Sequence, residues 1–377
     1  MNYLYLASFS EVMGYIGYVL IAILVLLAMI TVHEFGHYIV GKIFGFGIEE
    51  FAIGFGPKLF KRQNKKTGEK FSVRLLPLGG FCAFKGEDEE DTDPSAFNNK
   101  KPWQRILVLI AGAFMNYLLA LLIIIIMFFS YGQTMLMTYK TEVPTDPVYT
   151  AENSFCDRDI IINIEGKNIY LTTDLMSAIK DRQAGETVKT TVRRNGEYKT
   201  INLILRANTD FANVEENNKM FSALGIYAEY NADSGQMIFS GLYSTGVRFG
   251  FFKTLANSFE YSFKLAGSIF TVLGQLLTGA LGIGSLGGTV TTISMTATAI
   301  KVGGLRNLLN IASFIGVNLA VFNLLPIPAL DGSRVVFNVI EWIRKKPIKR
   351  RVESIIHMVG LILIMVFAVF IDLQQCF

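Results

Sequence analysis

The sequence predicts a polytopic α-helical membrane protein, with four transmembrane helices and an inserted extracytoplasmic α+β domain. Of its 377 residues, 51% are hydrophobic and only 18% are charged. Apolar runs such as 118–129 (LLALLIIIIMFF) are too long for one water-soluble core, whereas lipid accommodates them without penalty. This composition excludes a disordered or simply soluble protein.

The charges and cysteines narrow the class further. The net charge is +4, and the basic residues cluster beside the apolar runs, which is typical of membrane orientation rather than of nucleic-acid binding. We therefore expect the lipid bilayer as a partner and no nucleic acid. The three cysteines are odd in number and far apart, so neither a disulfide framework nor a thiolate metal site is expected.

Four apolar segments predict the spans. Each is near the roughly 20 residues that cross a bilayer core, and they run over 15–40, 105–129, 307–327 and 355–371. A fifth apolar stretch, 265–283, is rich in glycine. Counting it as a crossing would put one of the two basic loops on the wrong side of the membrane, so we expect an interfacial or re-entrant segment.

The basic loops predict the orientation. Lysines and arginines are frequent between the first two spans, and RKKPIKRR, residues 344–351, lies between the last two. By the positive-inside rule both loops are expected in the cytoplasm. Both termini and the long segment 130–256 are then extracytoplasmic.

The exported segment has the pattern of a small α+β domain. Between 143 and 205, short apolar runs such as DIIINIEG alternate with turn-forming residues. Asn195 and Gly196 predict a two-residue hairpin turn, and the pattern over 172–181 predicts one helix.

The first span contains the motif HEFGH, residues 33–37. Because His33 and His37 are four positions apart, both imidazoles stand on one helix face and can bind one Zn²⁺, while Glu34 acts on a water. A glutamate and two histidines inside an apolar span are costly unless a function retains them. We predict one zinc ion per chain, with Glu34 as the catalytic residue.

Catalytic zinc needs a third protein ligand and keeps one open position. His357 is the only other histidine, and a packed or interfacial role is expected for it. Asp331 is the better candidate, because it follows the third span in NLLPIPALDG, where Pro326 and Pro328 break the helix. In the predicted topology the first and third spans both run inward, so HEFGH and Asp331 reach a similar depth.

Together these segments resemble the site-2 protease family of intramembrane zinc metalloproteases, most closely its bacterial regulator-of-sigma-E protease branch. The likeness covers nearly the whole chain and includes HEFGH, GFGPKLF, RLLPLGGFCAFKGE, FNNKKPWQRILVLIAGAFMNYLLA and GVNLAVFNLLPIPALDG. The resemblance implies that His33, His37 and Asp331 bind zinc and that Glu34 is the catalytic acid and base.

The resemblance also implies a location and a substrate class. It implies a multi-pass protein of the bacterial cell membrane that cleaves single-span membrane proteins after a first extracytoplasmic cut. Anti-sigma factors and remnant signal peptides are the expected substrates. The domain at about 143–205 resembles a single PDZ domain, in which SFCDRD replaces the usual glycine-bearing pieces; we expect it to exclude bulky uncut substrates.

A membrane-associated β-hairpin beside the substrate is a further implication of the resemblance. We interpret 71–84 (FSVRLLPLGGFCAF) as two apolar strands around Pro77, Gly79 and Gly80, whose exposed edge can pair with an unwound substrate. The predicted substrate-binding residues are Leu78, Gly79, Gly80 and Phe81 in this hairpin and Asn318 and Asn323 in the third span.

The predicted organisation has eight parts. These are the first span with HExxH (1–45), a cytoplasmic loop with the hairpin (46–102), the second span (103–130), the extracytoplasmic region (131–258), an interfacial or re-entrant amphipathic segment (259–304), the third span with the LDG motif (305–333), a basic cytoplasmic loop (334–354) and the fourth span (355–377).

Two alternatives from other classes remain. A membrane zinc transporter or sensor would use the same cluster to carry or detect ions, and transport needs further polar stations along its path. A catalytically silent PDZ scaffold would be expected to lose Glu34 or a ligand. The predicted spans hold no further carboxylate between Glu34 and Asp331, and HEFGH is complete, which favours a protease.

Overall fold

The computed structural model describes residues 9–87, 91–139, 141, 143, 146–179, 182–183, 185–205, 228–231, 236–239, 241–279, 287–346, 348 and 350–374. The chain divides into two compact units. The helical unit is Met1–Ile126 with Ser262–Phe377, and the β unit is Met127–Tyr261.

The seven helices are α1 (Phe9–Ile43), α2 (Pro102–Tyr131), α3 (Thr172–Ile179), α4 (Phe251–Thr278), α5 (Thr289–Asn323), α6 (Asp331–Arg344) and α7 (Arg350–Gln374), with one 3₁₀ turn at Phe97–Asn99. The strands are β1 (Ile48–Gln63), β2 (Lys70–Phe84), β3 (Gln133–Thr138), β4 (Ile160–Ile164), β5 (Lys167–Asn168), β6 (Thr187–Arg194), β7 (Glu197–Ile204), β8 (Ala228–Asn231), β9 (Gln236–Phe239) and β10 (Leu242–Val247). These counts refer to the described part of the chain.

Four helices are long and apolar enough to cross a membrane, which confirms the predicted number of spans. Within the described residues they are Met13–Ile43, Pro102–Tyr131, Val290–Asn323 and Val352–Gln374. Their most apolar windows are only 11–44% buried. Most of these side chains therefore face outward, as contact with lipid requires.

The third span begins earlier and ends earlier than predicted. Helix α5 starts at Thr289 and contains a kink at Gly304, whose φ of 57° and ψ of −142° are not helical. The part after the kink matches the predicted start near 307. The helix ends at Asn323 rather than near 327, because Pro326 and Pro328 cannot continue it.

Two segments for which no secondary structure was predicted contain helices. Part of the segment predicted to be interfacial or re-entrant, 259–304, belongs to α4, and its residues 280–286 lie outside the described part. The predicted basic loop 334–354 contains most of α6 and the beginning of α7. Only a short connection at Lys345 and the residues after it separates these two helices.

The two strand segments predicted around Pro77, Gly79 and Gly80 are present, but they do not pair with each other. Residues 70–73 and 80–83, both in β2, pair antiparallel with opposite edges of residues 50–53 in β1. The hairpin instead joins β1 to β2. The turn is at Asn64–Glu69, where the Asn64 N–H donates to the Glu69 carbonyl at 2.9 Å. Pro77 instead lies at a break in the register of β2, since proline has no N–H to donate to a ladder.

The N-terminal part of β1 has a segment of β2 paired to each of its two edges. Phe51 is opposite Cys82 on one side and opposite Phe71 on the other. The segment 80–84 of β2 therefore has one edge covered by β1, and no other described strand pairs with its second edge. That uncovered edge positions the candidate site described below.

The β unit has an antiparallel sheet in the order β10-β3-β4-β6-β7, with β5 paired to β4. Its core is aliphatic and lies under α3, with fully buried side chains that include Phe155, Ile161, Ile164, Leu175 and Val188. Asn195 and Gly196 have φ values of 52° and 90° between β6 and β7, which confirms the predicted two-residue turn. Strands β3 and β10 lie outside 143–205, so the sheet is larger than the predicted domain.

Candidate active site

Three side chains from two distant parts of the chain meet in the helical unit. His33 Nε2 lies 3.0 Å from Asp331 Oδ2, His37 Nε2 lies 3.1 Å from His33 Nε2, and His37 Nε2 lies 3.4 Å from Asp331 Oδ2. Both histidines are 7% exposed. The structure therefore brings together the three residues predicted to bind the metal.

The connection between α5 and α6 delivers Asp331 to this cluster. Asp331 is the first residue of α6, and the chain reaches it through a tight turn in which Ala329 has a φ of 81°. A Cβ on Gly332 would overlap the carbonyl oxygens of Leu324 and Leu325. Only glycine therefore permits this close return of the chain, which explains the residue after Asp331.

His357 supports the same turn from α7. Its Nδ1 accepts a hydrogen bond from the Ala329 N–H at 3.1 Å, and its ring lies 5.7 Å from the Phe337 ring. It is outside the group of His, Cys, Asp and Glu side chains that the described residues bring together. The packed role predicted for His357 is therefore to hold the turn that carries Asp331.

Helix α2 closes the cluster from the side opposite Asp331. The His37 Nδ1 atom lies 2.8 Å from the Val108 carbonyl oxygen, and a Cβ on Gly112 would overlap the His37 ring. Asn116 Nδ2 lies 3.4 Å from His33 Nδ1. These three residues repeat every four positions, so they form one stripe on α2.

Sequence reasoning missed this stripe, although a signal was present. Val108, Gly112 and Asn116 stand on one helical face of an otherwise strongly apolar span. A small residue one turn before a buried asparagine is typical of a close helix contact with a polar purpose.

Glu34 faces a different neighbour from the two histidines. Its Oε2 accepts a hydrogen bond from the Cys82 N–H at 3.0 Å. Cys82 lies on the uncovered edge of β2, and Gly80 on the same edge is so close that a Cβ there would lie 3.6 Å from Glu34 Cγ. The carboxylate therefore stands between the histidine cluster and an available strand edge.

The other predicted substrate-binding residues have different surroundings. Phe81 stacks on Phe55 at 6.4 Å, and a Cβ on Gly79 would overlap Phe55 as well. Asn323 Nδ2 lies 3.4 Å from His33 Nδ1, so it is beside the metal cluster. Asn318 is half-buried in α5, and the Leu78 side chain lies outside the described residues.

A cavity of about 370 Å³, lined by both polar and apolar side chains, adjoins Asp331. Glu87 and Arg334, which form an ion pair, line it together with Asn98 and Asn338. The Oδ1 atoms of both asparagines are buried without a protein hydrogen-bond partner. Because buried polar atoms normally require a partner, this cavity is suited to hold water.

The donor set and its geometry fit zinc. Ligand atoms about 2.1 Å from a tetrahedral metal lie about 3.4 Å apart, and the three atoms here are 3.0, 3.1 and 3.4 Å apart. Two imidazole nitrogens and one carboxylate oxygen are common ligands of catalytic zinc. Two of these ligands lie in the spanning helix α1 and the third begins α6, an arrangement typical of a membrane-embedded metallohydrolase.

The comparisons with known proteins identify the family. Residues 21–367 match the model of peptidase family M50, so the chain belongs to that family, which is the site-2 protease family. A Clostridium perfringens protein whose name is that of a zinc metalloprotease is 34% identical, over 95% of this chain and 98% of that protein. The Bacillus subtilis regulator of sigma-W protease RasP is 27% identical, over 96% of this chain and 100% of that protein.

Membership of the family agrees with the geometry of the cluster. The protein is a multi-pass membrane protein and a zinc metalloprotease that acts in intramembrane proteolysis. Zinc is its metal, and the cluster of His33, His37 and Asp331 is the site that fits it. No residue of this cluster requires a zinc transporter or a catalytically silent scaffold to explain it.

Proposed function

We propose that this protease cleaves single-span membrane proteins inside the bilayer, with His33, His37 and Asp331 holding zinc and Glu34 as general base and acid. One observation carries the proposal. His33 and Asp331 are 298 positions apart in sequence, yet their Nε2 and Oδ2 atoms lie 3.0 Å apart. A structural role would not require Asp331 at the start of α6 to meet two histidines of the apolar helix α1.

Zinc, when bound, supplies a Lewis acid that makes water acidic and polarises the scissile carbonyl. Glu34 takes a proton from the attacking water at a carboxylate oxygen and later gives it to the leaving nitrogen. In the absence of substrate, Glu34 Oε2 is held by the Cys82 N–H. This bond keeps the carboxylate oriented toward the strand edge where the substrate is proposed to lie.

The uncovered edge of β2 is the proposed substrate platform. A helical substrate hides its peptide carbonyls in its own hydrogen bonds, so cleavage requires a locally extended chain. A substrate strand added along this edge would lie beside Gly80 and Cys82 and would pass Glu34, which accepts the Cys82 N–H in this structure. Phe81, stacked on Phe55, would contact its side chains, and Asn323 is close enough to the cluster to contact its main chain.

Water reaches the site from the cavity beside Asp331 in this proposal. The hydrolytic reaction consumes one water for each bond, and bulk water is scarce among spanning helices. The polar lining of Glu87, Arg334, Asn98 and Asn338 offers both donors and acceptors. This lining supports a path for water to the site from the side of the membrane where α6 begins.

The chain is proposed to lie in a bacterial cell membrane with both termini and the β unit outside. The basic segment 344–351, between α6 and α7, is then cytoplasmic. A cysteine at Asn195 should react with an impermeant reagent in intact cells, and one at Asn64 should not. The reverse pattern would overturn the orientation.

Single-span proteins already shortened outside, such as anti-sigma factors and remnant signal peptides, are the proposed substrates. A relative is named as a regulator of sigma-W protease, which supports a substrate linked to a sigma factor. The β unit, with its proposed PDZ-like part, is proposed to restrict entry to such shortened chains.

Cleavage of a model single-span substrate by purified protein in detergent tests the proposal. Glu34→Gln should retain one zinc per chain and lose about 10²-fold or more in rate, because the proton transfer has no base. Glu49→Gln, an exposed change in β1, is the matched control and should cleave normally. Wild-type rates in Glu34→Gln would refute the role of Glu34.

A further inference from the structure

The outer nitrogens of the two histidines have different partners. Both Nε2 atoms face the metal cluster, so both Nδ1 atoms face away from it. When Nε2 of a neutral imidazole binds a metal, the hydrogen is on Nδ1, and this N–H needs an acceptor. For His37 that acceptor is a backbone oxygen, since the Val108 carbonyl lies 2.8 Å from Nδ1.

For His33 the neighbours are two carboxamides. Asn116 Nδ2 and Asn323 Nδ2 each lie 3.4 Å from His33 Nδ1. An NH₂ group donates and cannot accept, so this arrangement suits a His33 whose Nδ1 is a lone pair. It does not suit a His33 that binds metal through Nε2, because two donors would then face the Nδ1 hydrogen.

Asn116 is the residue that can resolve this conflict. It is fully buried (0% exposed), and its Oδ1 has no hydrogen-bond partner. A half-turn of its amide exchanges oxygen and nitrogen with almost no change of shape. The rotation brings Oδ1 to His33 Nδ1 and breaks no hydrogen bond of the oxygen. Asn323, which is only half-buried, stays available for substrate.

We infer that Asn116 accepts a hydrogen bond from the Nδ1–H of His33 when zinc is bound, and that it fixes the tautomer and orientation of this ligand. Asn116 is therefore a positioning residue for the metal centre. The inference rests on the proposed ligand set, because it assumes that His33 binds zinc through Nε2. It also gives the two histidines unequal supports: a backbone carbonyl for His37 and a replaceable side chain for His33.

The zinc affinity of Asn116 variants tests this assignment, measured by competition with a chromophoric chelator in detergent. Asn116→Leu keeps most of the side-chain volume and removes the acceptor, so affinity should fall about 10–100-fold. Asn116→Asp provides a carboxylate acceptor and should bind zinc at least as tightly as wild type. Asn323→Leu should bind zinc within about threefold of wild type, because Asn323 is not the acceptor.

A spectroscopic readout separates hydrogen bonding from packing. The chain has three histidines, so ¹⁵N-histidine labelling gives few enough imidazole signals to assign with His33→Ala. Zinc-bound wild type should show a hydrogen-bonded Nδ1–H on His33, and Asn116→Leu should lose that hydrogen bond while the metal-free protein melts as wild type does. A structural role for Asn116 would not move this signal.

The outcomes distinguish the inference from the proposal beneath it. If His33→Ala keeps zinc, the ligand set itself is wrong. If His33→Ala loses zinc while Asn116→Leu binds it as wild type does, the ligand set stands and the role of Asn116 is refuted. Equal weakening in Asn116→Leu and Asn116→Asp, or weakening in Asn323→Leu alone, would also overturn the assignment.

Discussion

Asp159 in the β unit and Asp331 in the helical unit both have close polar partners, and the two carboxylates have different ones. In the β unit, Asp159 is 0% exposed, and Arg194 donates to it from Nε at 2.7 Å and from Nη2 at 2.6 Å. In the helical unit, the partners of Asp331 are the imidazoles of His33 and His37. A guanidinium balances the first carboxylate, whereas the second faces two imidazole nitrogens that could hold a metal ion together with it.

This difference separates a structural carboxylate from one suited to a metal. The bidentate pair in the β unit satisfies both oxygens and fixes the segment before β4 against β6. The cluster in the helical unit leaves a site between three ligand atoms. The candidate metal site therefore lies in the helical unit.

The largest expected effect separates the two aspartates directly. Asp331→Asn should remove most bound zinc and all measurable cleavage, because an amide is a poor zinc ligand. Asp159→Asn should keep one zinc per chain but destabilise the β unit by about 3–5 kcal/mol, because Arg194 loses its charged partner. Zinc content and thermal unfolding check both, and full zinc occupancy in Asp331→Asn would contradict the comparison.

Helix α2 offers a second strong test, with a change of one methyl group. Gly112→Ala places a Cβ against the His37 and His33 rings, so we expect zinc affinity to fall by at least about 100-fold. Gly17→Ala in α1 has nothing within 4 Å of the added Cβ and is the matched control. Normal zinc binding by both variants would show that α2 does not confine the site.

Removal of the outer part of the β unit tests whether this unit restricts which substrates the helical unit cleaves. Thr138 pairs with Leu242 across β3 and β10, so a short turn can replace residues 139–241 and keep that pair. We expect zinc binding and cleavage of short substrates to persist, and cleavage to extend to substrates with bulky exported parts. A variant that cleaves short substrates and still rejects long ones would refute gating.

The smallest expected effect concerns the support of the Asp331 turn. His357→Ala removes the acceptor of the Ala329 N–H, a loss of about 1 kcal/mol. We expect zinc affinity to fall by less than about tenfold, with one zinc per chain retained at saturating metal. A loss as large as that of Asp331→Asn would make His357 part of the metal site itself.

Sequence reasoning predicted the parts of the site that short motifs encode. HEFGH puts two imidazoles on one helix face by spacing alone, and the break at Pro326 and Pro328 marks where the chain can bring Asp331 inward. The cluster geometry agrees with both predictions. The number of spans followed from apolar length in the same way.

Contacts that depend on how helices and strands pack were not predicted. Asn116 and Gly112 contact the histidines only because α2 packs against α1 in one particular rotation. The sequence of α2 does not indicate that rotation. The hairpin turn was predicted at Pro77, Gly79 and Gly80, which have turn composition, whereas the chain turns at Asn64–Glu69. Here proline and glycine separate two segments of one strand. The sequence alone does not distinguish such a break from a hairpin turn.

X-ray absorption spectroscopy of zinc in the purified protein tests the central claim most directly. The claim is that zinc is held by two imidazole nitrogens and one carboxylate oxygen from α1 and α6. The spectrum should show only nitrogen and oxygen ligands at about 2.0–2.2 Å, with the multiple scattering of two histidines. Asp331→Asn and His33→Ala should each lose that spectrum. A sulfur ligand at about 2.3 Å, or an unchanged spectrum in His33→Ala, would contradict the account.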